Sequence, residues 1–552
     1  MSTNATAPAP LESGKSAATI NTSEKNSVIN SNKDNFNLKA GTGARLEDGE
    51  PPLDDSYGEL PQGRQLGLVS ATFLIVNRIV GTGVFATTST ILAQSGSVGM
   101  SLIYWAIGAA IAVTGYLVYA EFASVFPRNG GELNYLQHIY KRPKYFVAAI
   151  YGAQALLLGQ AAGNAYTAGR YLIRAGGAES EWGARSIGVG VLLAALIVHG
   201  SLLKWGLRFQ NVAGTLKLAI LVLIAVTGFA ALGGHTKLDV QPDNFSNAFE
   251  GTRSDTYGIV NCIYNAVWSY VGYSNLMYGL GEVRNPVRTL RIAGPLALLI
   301  VSTLYMLVQI AYFAAVPRDQ VAGSTQIIAA LFFQNMFGSS GAKVLCVFVA
   351  ISAIANVFSV VFSQGRLNQA LGRDGVVPFS KILASNRPFK SPLAGLAWHV
   401  IVTLIILLAP PAGDAYSFVL NLSSYPLNVV NVGVSLGLLA AYLPERLRPQ
   451  WAKEWRPPIR ATLPAVIFFS LISLFLVIAP WVPPKKDEDA VYDHLWYGIA
   501  NAVSIGFFFL GALYWLVWYV ILPRFGGYRV VPVQTKLDDG TPITVFEHEK
   551  IL

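Results

Sequence analysis

Residues 66–95 are apolar and long enough to cross a bilayer, yet the stretch is built to break in its own middle. A helix needs roughly 20 apolar residues to span the hydrocarbon core. Here the run LGLVSATFLIVNRIVGTGVFATTSTILA carries Gly81-Thr82-Gly83 and the charged Arg78 near its centre. Two glycines in three residues do not sustain a helix. Unpaired backbone at membrane depth survives only where it is buried in protein or lines a cavity. The small-x-small spacing of Gly81 and Gly83 favours a turn over a helix-packing seam, for which small-xxx-small is the rule. A broken first span is the kind of binding-site signal that secondary transporters carry.

The rest of the chain fits a polytopic membrane protein. It is 53% hydrophobic and 13% charged, where ordinary soluble chains carry about 25% charge. The net charge of +9 reads as loop bias, not as nucleic-acid affinity, since no basic run has interleaved aromatics. Cys262 and Cys346 both lie in apolar segments and read as small buried hydrophobes. Residues 1–65, rich in Ser, Asn, Pro and Gly, read as a disordered tail. With no apolar segment near Met1, the first span is expected to act as its own insertion signal.

The predicted fold class is an all-α polytopic membrane protein with twelve transmembrane helices. They are expected near 66–95, 100–126, 144–174, 186–203, 207–233, 257–283, 289–316, 340–371, 393–411, 414–442, 461–481 and 494–522, the alternative for the eighth being a shorter span with short surface helices ahead of it between Asp319 and Phe337. The transporter domain then covers 66–523, and 524–552 is a C-terminal tail. Loops after the even spans, with their flanks, hold nineteen Lys and Arg, from Arg128 to Arg460, against nine after the odd spans. Positive charge marks the cytoplasmic side, so both termini are expected there.

Span 6 breaks as well. YGIVNCIYNAVWSY meets Val271-Gly272-Tyr273-Ser274-Asn275, a run of poor helix formers, and the tail LMYGLGEVRNP stops at Pro286. If 66–233 and 257–442 are two repeats, Gly81 and Gly272 mark corresponding helix breaks, the best sequence pointer to a central site. A half-helix starting at Gly83 presents N–H groups and a positive dipole end, which suits a carboxylate. Half-helices ending near Val80 and Tyr270 present carbonyls, which suit an ammonium. Together they describe an α-amino acid. Nothing acidic lies in either break, so a dibasic amino acid or a polyamine lacks a partner for its distal charge.

Several further pieces carry a resemblance. Arg78-Ile-Val-Gly-Thr-Gly-Val-Phe85, Tyr119-Ala-Glu-Phe followed by Phe126-Pro-Arg-Asn-Gly-Gly-Glu132, and Glu282-Val-Arg-Asn-Pro286 resemble the signature segments of the amino acid–polyamine–organocation superfamily over about residues 64–525. Within it the chain looks like the L-type branch, and most like its fungal methionine-permease group. The resemblance implies a LeuT-like 5+5 inverted repeat with alternating access. It assigns the substrate ammonium to the carbonyls of Ile79, Ser269 and Val271, the carboxylate to Thr82 and Gly83, and an aromatic gate to Trp268. Gly272-Tyr273-Ser274 and Gly281-Glu282 depart from the L-type pattern and leave the side-chain pocket open.

Lys217, in span 5, is a charge inside the membrane and so a functional candidate, with snorkelling to the surface as the plain alternative. The resemblance implies that it contacts the unwound part of span 1, where sodium-coupled relatives hold an ion; no sodium dependence is expected. Arg78 is read either as a substrate contact or as an inner gate paired with an acid, Glu121 and Glu282 being the acids nearest the inner ends of their spans. Arginine does not deprotonate, so a glutamate or Lys217 is the expected proton site. No histidine or cysteine cluster has metal-ligand spacing, and no cofactor motif or catalytic constellation is present. Asn244-Phe-Ser246 is a glycosylation sequon.

The reading is a plasma-membrane permease for neutral L-amino acids, methionine or cysteine favoured, proton-coupled and sodium-independent. The alternatives are an amino acid exchanger and a non-transporting amino acid sensor. The loop after span 3 has no cysteine for a disulfide-linked heavy subunit. A major-facilitator carrier would need a long loop after span 6, which is absent here. Acidic residues from Glu47 to Glu59, downstream of Lys15, Lys25 and Lys33, read as a spacer or as a site for ubiquitin-ligase adaptors.

Overall fold

The computed structural model of the protein describes residues 44–45, 66–318, 320, 328–411, 414–484, 492 and 494–550. Apart from 44–45, the tail predicted over 1–65, with its lysines and acidic stretch, lies outside the described residues. So do Lys485, Lys486 and the acidic residues that follow them.

Among the described residues, ten helices are long and apolar enough to cross a membrane, and they supply spans 1–5, 7, 8 and 10–12 in the predicted order. Span 9 is a shorter apolar helix, Leu393–Leu408. Span 6 runs as Thr256–Tyr270, a short helix Asn275–Tyr278 and a 3-10 turn Leu280–Glu282. Local chemistry sets several starts. The side chains of Ser97, Ser180 and Asp255 cap spans 2, 4 and 6 by accepting from backbone N–H groups three residues on, each satisfying a donor that the first helical turn leaves orphaned. Gly96, at φ 74°, closes span 1 in the left-handed cap that favours glycine.

The packing pairs the two halves. Span 1 packs on span 7 as span 6 packs on span 2, and spans 3 and 8 lie together. That exchange of neighbours is the LeuT-like arrangement of two five-span repeats, with spans 11 and 12 outside it. The paired loops tighten it further: Leu66 N donates to Glu282 O at 2.8 Å, and Arg284 N donates to Leu66 O at 2.9 Å. The start of span 1 and the end of span 6 are thereby joined.

Two elements differ from the sequence reading. Span 3, expected as one helix over 144–174, is two, Phe146–Leu157 and Ala162–Ala175. Span 9 crosses at the gap so closely that a Cβ on Gly159 would lie 2.9 Å from Thr403 Cα. Span 8 runs over Ser339–Asp374, within a few residues of 340–371 and not the shorter alternative, and is preceded by the helix Ile328–Phe337. The C-terminal segment, read as a tail, forms a β-hairpin. Strands Tyr528–Lys536 and Pro542–Lys550 pair antiparallel with Val533 opposite Val545, around a turn with Gly540 at φ 79°. The hairpin packs on the loop between spans 8 and 9: Asn386 N donates to Asp539 Oδ2 at 2.7 Å, and Asn386 Nδ2 donates to Thr541 Oγ1 at 2.8 Å. Its Phe546 ring lies 4.9 Å from that of Tyr145 and 5.5 Å from that of Tyr519.

Candidate substrate site

The first half of span 1 ends at Ile79 and the second begins at Gly83. A helix end buried in a membrane protein must place its last carbonyls with partners from elsewhere. Here three neighbouring spans supply them. Lys217 Nζ, from span 5, donates to Asn77 O at 3.0 Å and to Val80 O at 2.5 Å. Asn356 Nδ2, from span 8, donates to Asn77 O at 3.0 Å and to Arg78 O at 2.6 Å. Tyr305 Oη, from span 7, donates to Ile79 O at 3.0 Å, and Ser352 Oγ donates to Gly81 O at 3.3 Å. The buried lysine therefore does not reach the surface; it holds the unwound segment.

The two breaks touch. Gly272 adopts φ 129°, and a Cβ there would lie 2.8 Å from Arg78 Cβ; only glycine meets both demands. Gly83 lies on Ser269, where an added Cβ would come within 2.7 Å of Ser269 Cα. Gly81 is enclosed by Asn164 and Asn356. Thr82 Oγ1 donates to Asn164 Oδ1 at 3.1 Å, and the helix that starts at Gly83 has no side-chain cap. Its first N–H groups and positive dipole end thus face the junction.

Arg78, Trp268, Val271 and Gly272 line one small cavity beside the span 6 break, together with Gln160, Tyr278 and Leu427. Among its lining residues Arg78 is the only one that carries a full charge. Its guanidinium is buried and meets neutral amides: Gln160 Oε1 at 3.2 Å and, at the limit of a hydrogen bond, Asn356 Oδ1 at 3.5 Å.

Not every expected residue gathers here. Ile79 is at the break, but its carbonyl is taken by Tyr305 Oη and by Gly81 N at 2.8 Å. Arg78 pairs with neither glutamate. Glu282 forms an ion pair with Arg366 of span 8, Nε to Oε1 2.5 Å, with both side chains buried. Glu121 accepts from Tyr442 Oη at 2.9 Å, Trp455 Nε1 at 2.8 Å and Ala461 N at 2.8 Å, which anchors the end of span 2 to the loop before span 11. The sequon residue Asn244 donates through Nδ2 to Phe313 O at 2.6 Å and Val316 O at 2.8 Å, so its amide is committed to the fold. Sequence reasoning missed Gln160, Asn164, Tyr305 and Asn356. Their signal was polarity inside apolar runs, which marks a residue without saying where it points. No group of three or more His, Cys, Asp or Glu among the described residues fits a metal ion.

Comparison with known proteins gives this geometry its context. The sequence profile of the amino acid permease family matches residues 66–521. The high-affinity methionine permease of Saccharomyces cerevisiae is 48% identical over 87% of this chain and 84% of its own. The low-affinity methionine permease of the same yeast is 28% identical over 88% of each. The human b(0,+)-type amino acid transporter 1 is 26% identical over 82% of this chain and 89% of its own. With a profile match that takes in both broken spans and every residue around them, the chain belongs to the amino acid permease family of the amino acid–polyamine–organocation superfamily, and is a multi-pass membrane transporter rather than an enzyme.

Proposed function

We propose that the protein carries neutral L-amino acids, methionine foremost, across the plasma membrane with protons and without sodium, by alternating access. The observation that carries the sodium independence is the Lys217 ammonium, which donates to the carbonyls of Asn77 and Val80. A sodium ion at the break of span 1 would need such carbonyls as ligands. A fixed ammonium takes their lone pairs and supplies the same unit charge, so the unwound segment is stabilised without an ion.

In this reading the substrate carboxylate meets Thr82 and the uncapped helix start at Gly83. Its ammonium meets the carbonyls of Ser269 and Val271 at the end of the first half of span 6, with Trp268 closing over it. Ile79 contributes its carbonyl once Tyr305 releases it. The cavity beside the break is lined by no Asp or Glu and does contain Arg78. A dibasic amino acid would place its distal charge against a guanidinium with no counter-ion, which supports a neutral side chain. Methionine is favoured because the two yeast methionine permeases align over most of the chain.

The test is uptake of labelled methionine, leucine, cysteine and lysine into proteoliposomes, with an inward proton gradient, an inward sodium gradient or neither. Methionine accumulation with protons and not with sodium is the expected result. Movement only into vesicles preloaded with amino acid would replace it with exchange. Binding without movement would make the protein a sensor. The positive loop bias supports a cytoplasmic place for both termini, which protease protection of terminal tags checks.

A further inference from the structure

A third buried glutamate, in neither the breaks nor the ion pairs, lies on the same side of the fold as Tyr278. Glu132 opens the short helix Glu132–Ile139 in the loop between spans 2 and 3 and is 1% exposed. Its Oε1 accepts from Tyr278 Oη at 3.0 Å and its Oε2 from Tyr151 Oη at 3.1 Å. Tyr119 of span 2, Tyr135 of its own helix and Tyr273 of span 6 also lie within electrostatic reach of it. Among the described residues no Lys or Arg pairs with it, in contrast to Glu282 with Arg366. Arg78 acts on Tyr278, and Arg128, on the same loop as Glu132, donates through Nε to Asn134 Oδ1 at 2.7 Å. A buried carboxyl surrounded by hydroxyls and no cation is one that binds a proton readily.

The loop that carries Glu132 also grips the end of span 6. Gly130 N donates to Tyr278 O at 3.3 Å, and Gly281 N donates to Asn129 Oδ1 at 2.8 Å. A Cβ on Gly131 would lie 2.9 Å from the Tyr278 ring. Gly131 and Gly130, at φ 49° and 115°, bring the loop this close. Glu132 is thus sensitive to the position of the second half of span 6. It also lines a cavity of about 20 Å³ with Gln160, Tyr278 and Leu427, three residues that equally line the cavity at the substrate break. Tyr278 and Gln160 are the partition between the break and the carboxyl.

We propose that Glu132 is the proton-binding residue of the transport cycle, loaded while Tyr278 and Tyr151 enclose it and discharged when the second half of span 6 moves away. Burial pushes its carboxyl up to about 7, against the opposing pull of its own backbone N–H and the tyrosine hydroxyls, so loading and release both fall in the working range. Movement of Tyr278 removes one hydroxyl and opens the shared partition to water, which favours the carboxylate. The proton then leaves to the same face as the substrate. This assignment rests on the proton-coupled reading above.

The test uses the full chain in proteoliposomes with labelled methionine, comparing Glu132→Gln, Glu132→Asp and the wild type in two assays: accumulation driven by a proton gradient, and counterflow without a gradient. Glu132→Gln is expected to lose gradient-driven accumulation at least tenfold while exchanging methionine in counterflow, with a counterflow rate flat between pH 5 and 8. Glu132→Asp is expected to restore driven uptake with a shifted pH profile. Driven uptake by Glu132→Gln with the wild-type pH profile would overturn the assignment alone, and so would equal loss of both assays in Gln and Asp variants. Wild-type protein that fails to accumulate methionine on a proton gradient would overturn the proton-coupled reading itself.

Discussion

Gly83 and Ser269 are in direct contact across the two broken spans: a Cβ at position 83 would lie 2.6 Å from Ser269 Oγ and 2.7 Å from Ser269 Cα. The second of these is backbone, which cannot rotate away. Gly83→Ala therefore has to push the two half-helices apart at the point where the substrate carboxylate is proposed to bind. The expected outcome is a fall in methionine uptake of at least about tenfold, equivalent to ~1.4 kcal/mol of lost binding. Membrane insertion and size-exclusion behaviour should stay normal, since the change adds one methyl group. Labelled uptake with matched surface expression checks it.

Lys217 gives the second prediction. Its ammonium satisfies Val80 O and shares Asn77 O with Asn356 Nδ2, and an orphaned buried acceptor costs about 1–3 kcal/mol. Lys217→Met keeps the bulk and removes both bonds. Uptake should drop below a hundredth of the wild-type rate, and added sodium should not restore it, because Asn356 and Tyr305 still shape the segment. Recovery in high sodium would show that the site retains ion-binding geometry and would reverse the account of Lys217.

How much of this was legible in the sequence follows from range. Gly81, Gly83 and Gly272 announced themselves because a helix break is a local event, written in adjacent residues. Spans 1 and 6 were placed for the same reason. The partners of the break were not, since Asn77 O and Asn356 Nδ2 come from positions 279 residues apart. Periodicity does not say which face of span 8 carries Asn356 inward. The break in span 3 was missed because Leu158-Gly159-Gln160-Ala161 contains one glycine, which a helix ordinarily tolerates; the close crossing of span 9 opens it. The hairpin was missed because a short polar segment after the last span resembled a tail, although Val530, Val531, Val533 and the Asp539-Gly540 turn carried the strand signal.

The Glu282–Arg366 pair is a third place to intervene. Both side chains are buried, and the Arg366 guanidinium also lies 4.6 Å from the Phe362 ring centroid. Removing one partner leaves an uncompensated buried charge at a cost of about 3–5 kcal/mol, whereas removing both is far milder. Glu282→Gln and Arg366→Met should each lower the thermal midpoint of the purified protein sharply. The double variant Glu282→Gln, Arg366→Met should recover most of that loss, as read in a double-mutant cycle. Equal, additive losses would mean that the two residues act separately.

The hairpin supplies a fourth. Asp539 accepts from the backbone of Asn386, and Phe546 packs between Tyr145 and Tyr519, so the hairpin ties the span 8–9 loop to the starts and ends of spans 3 and 12. Phe546→Ala removes most of that apolar contact. It should weaken the docking by about 2 kcal/mol, within the range for burying one large apolar side chain, and should speed proteolysis at Arg524 and Arg529 several-fold. Unchanged cleavage would place the hairpin's hold in Asp539 and Thr541 alone.

Protonation of Glu132 makes a last prediction about stability that is separate from transport. Burial raises this carboxyl from 4.5 to about 7, so the folded protein binds the proton more tightly than the unfolded chain does. Between those values the native state holds more protons, and stability falls as pH rises. The contribution is fully present below about 4.5 and is lost as pH passes through 7. The thermal midpoint of the wild type should therefore decline from pH 5 to pH 8. Glu132→Gln, neutral throughout, should show a flatter profile over the same window and should exceed the wild type relative to its own pH 5 value at pH 8. Parallel profiles for the two proteins would mean that Glu132 stays ionised when buried, and that the hydroxyls of Tyr151 and Tyr278 suffice to hold its charge.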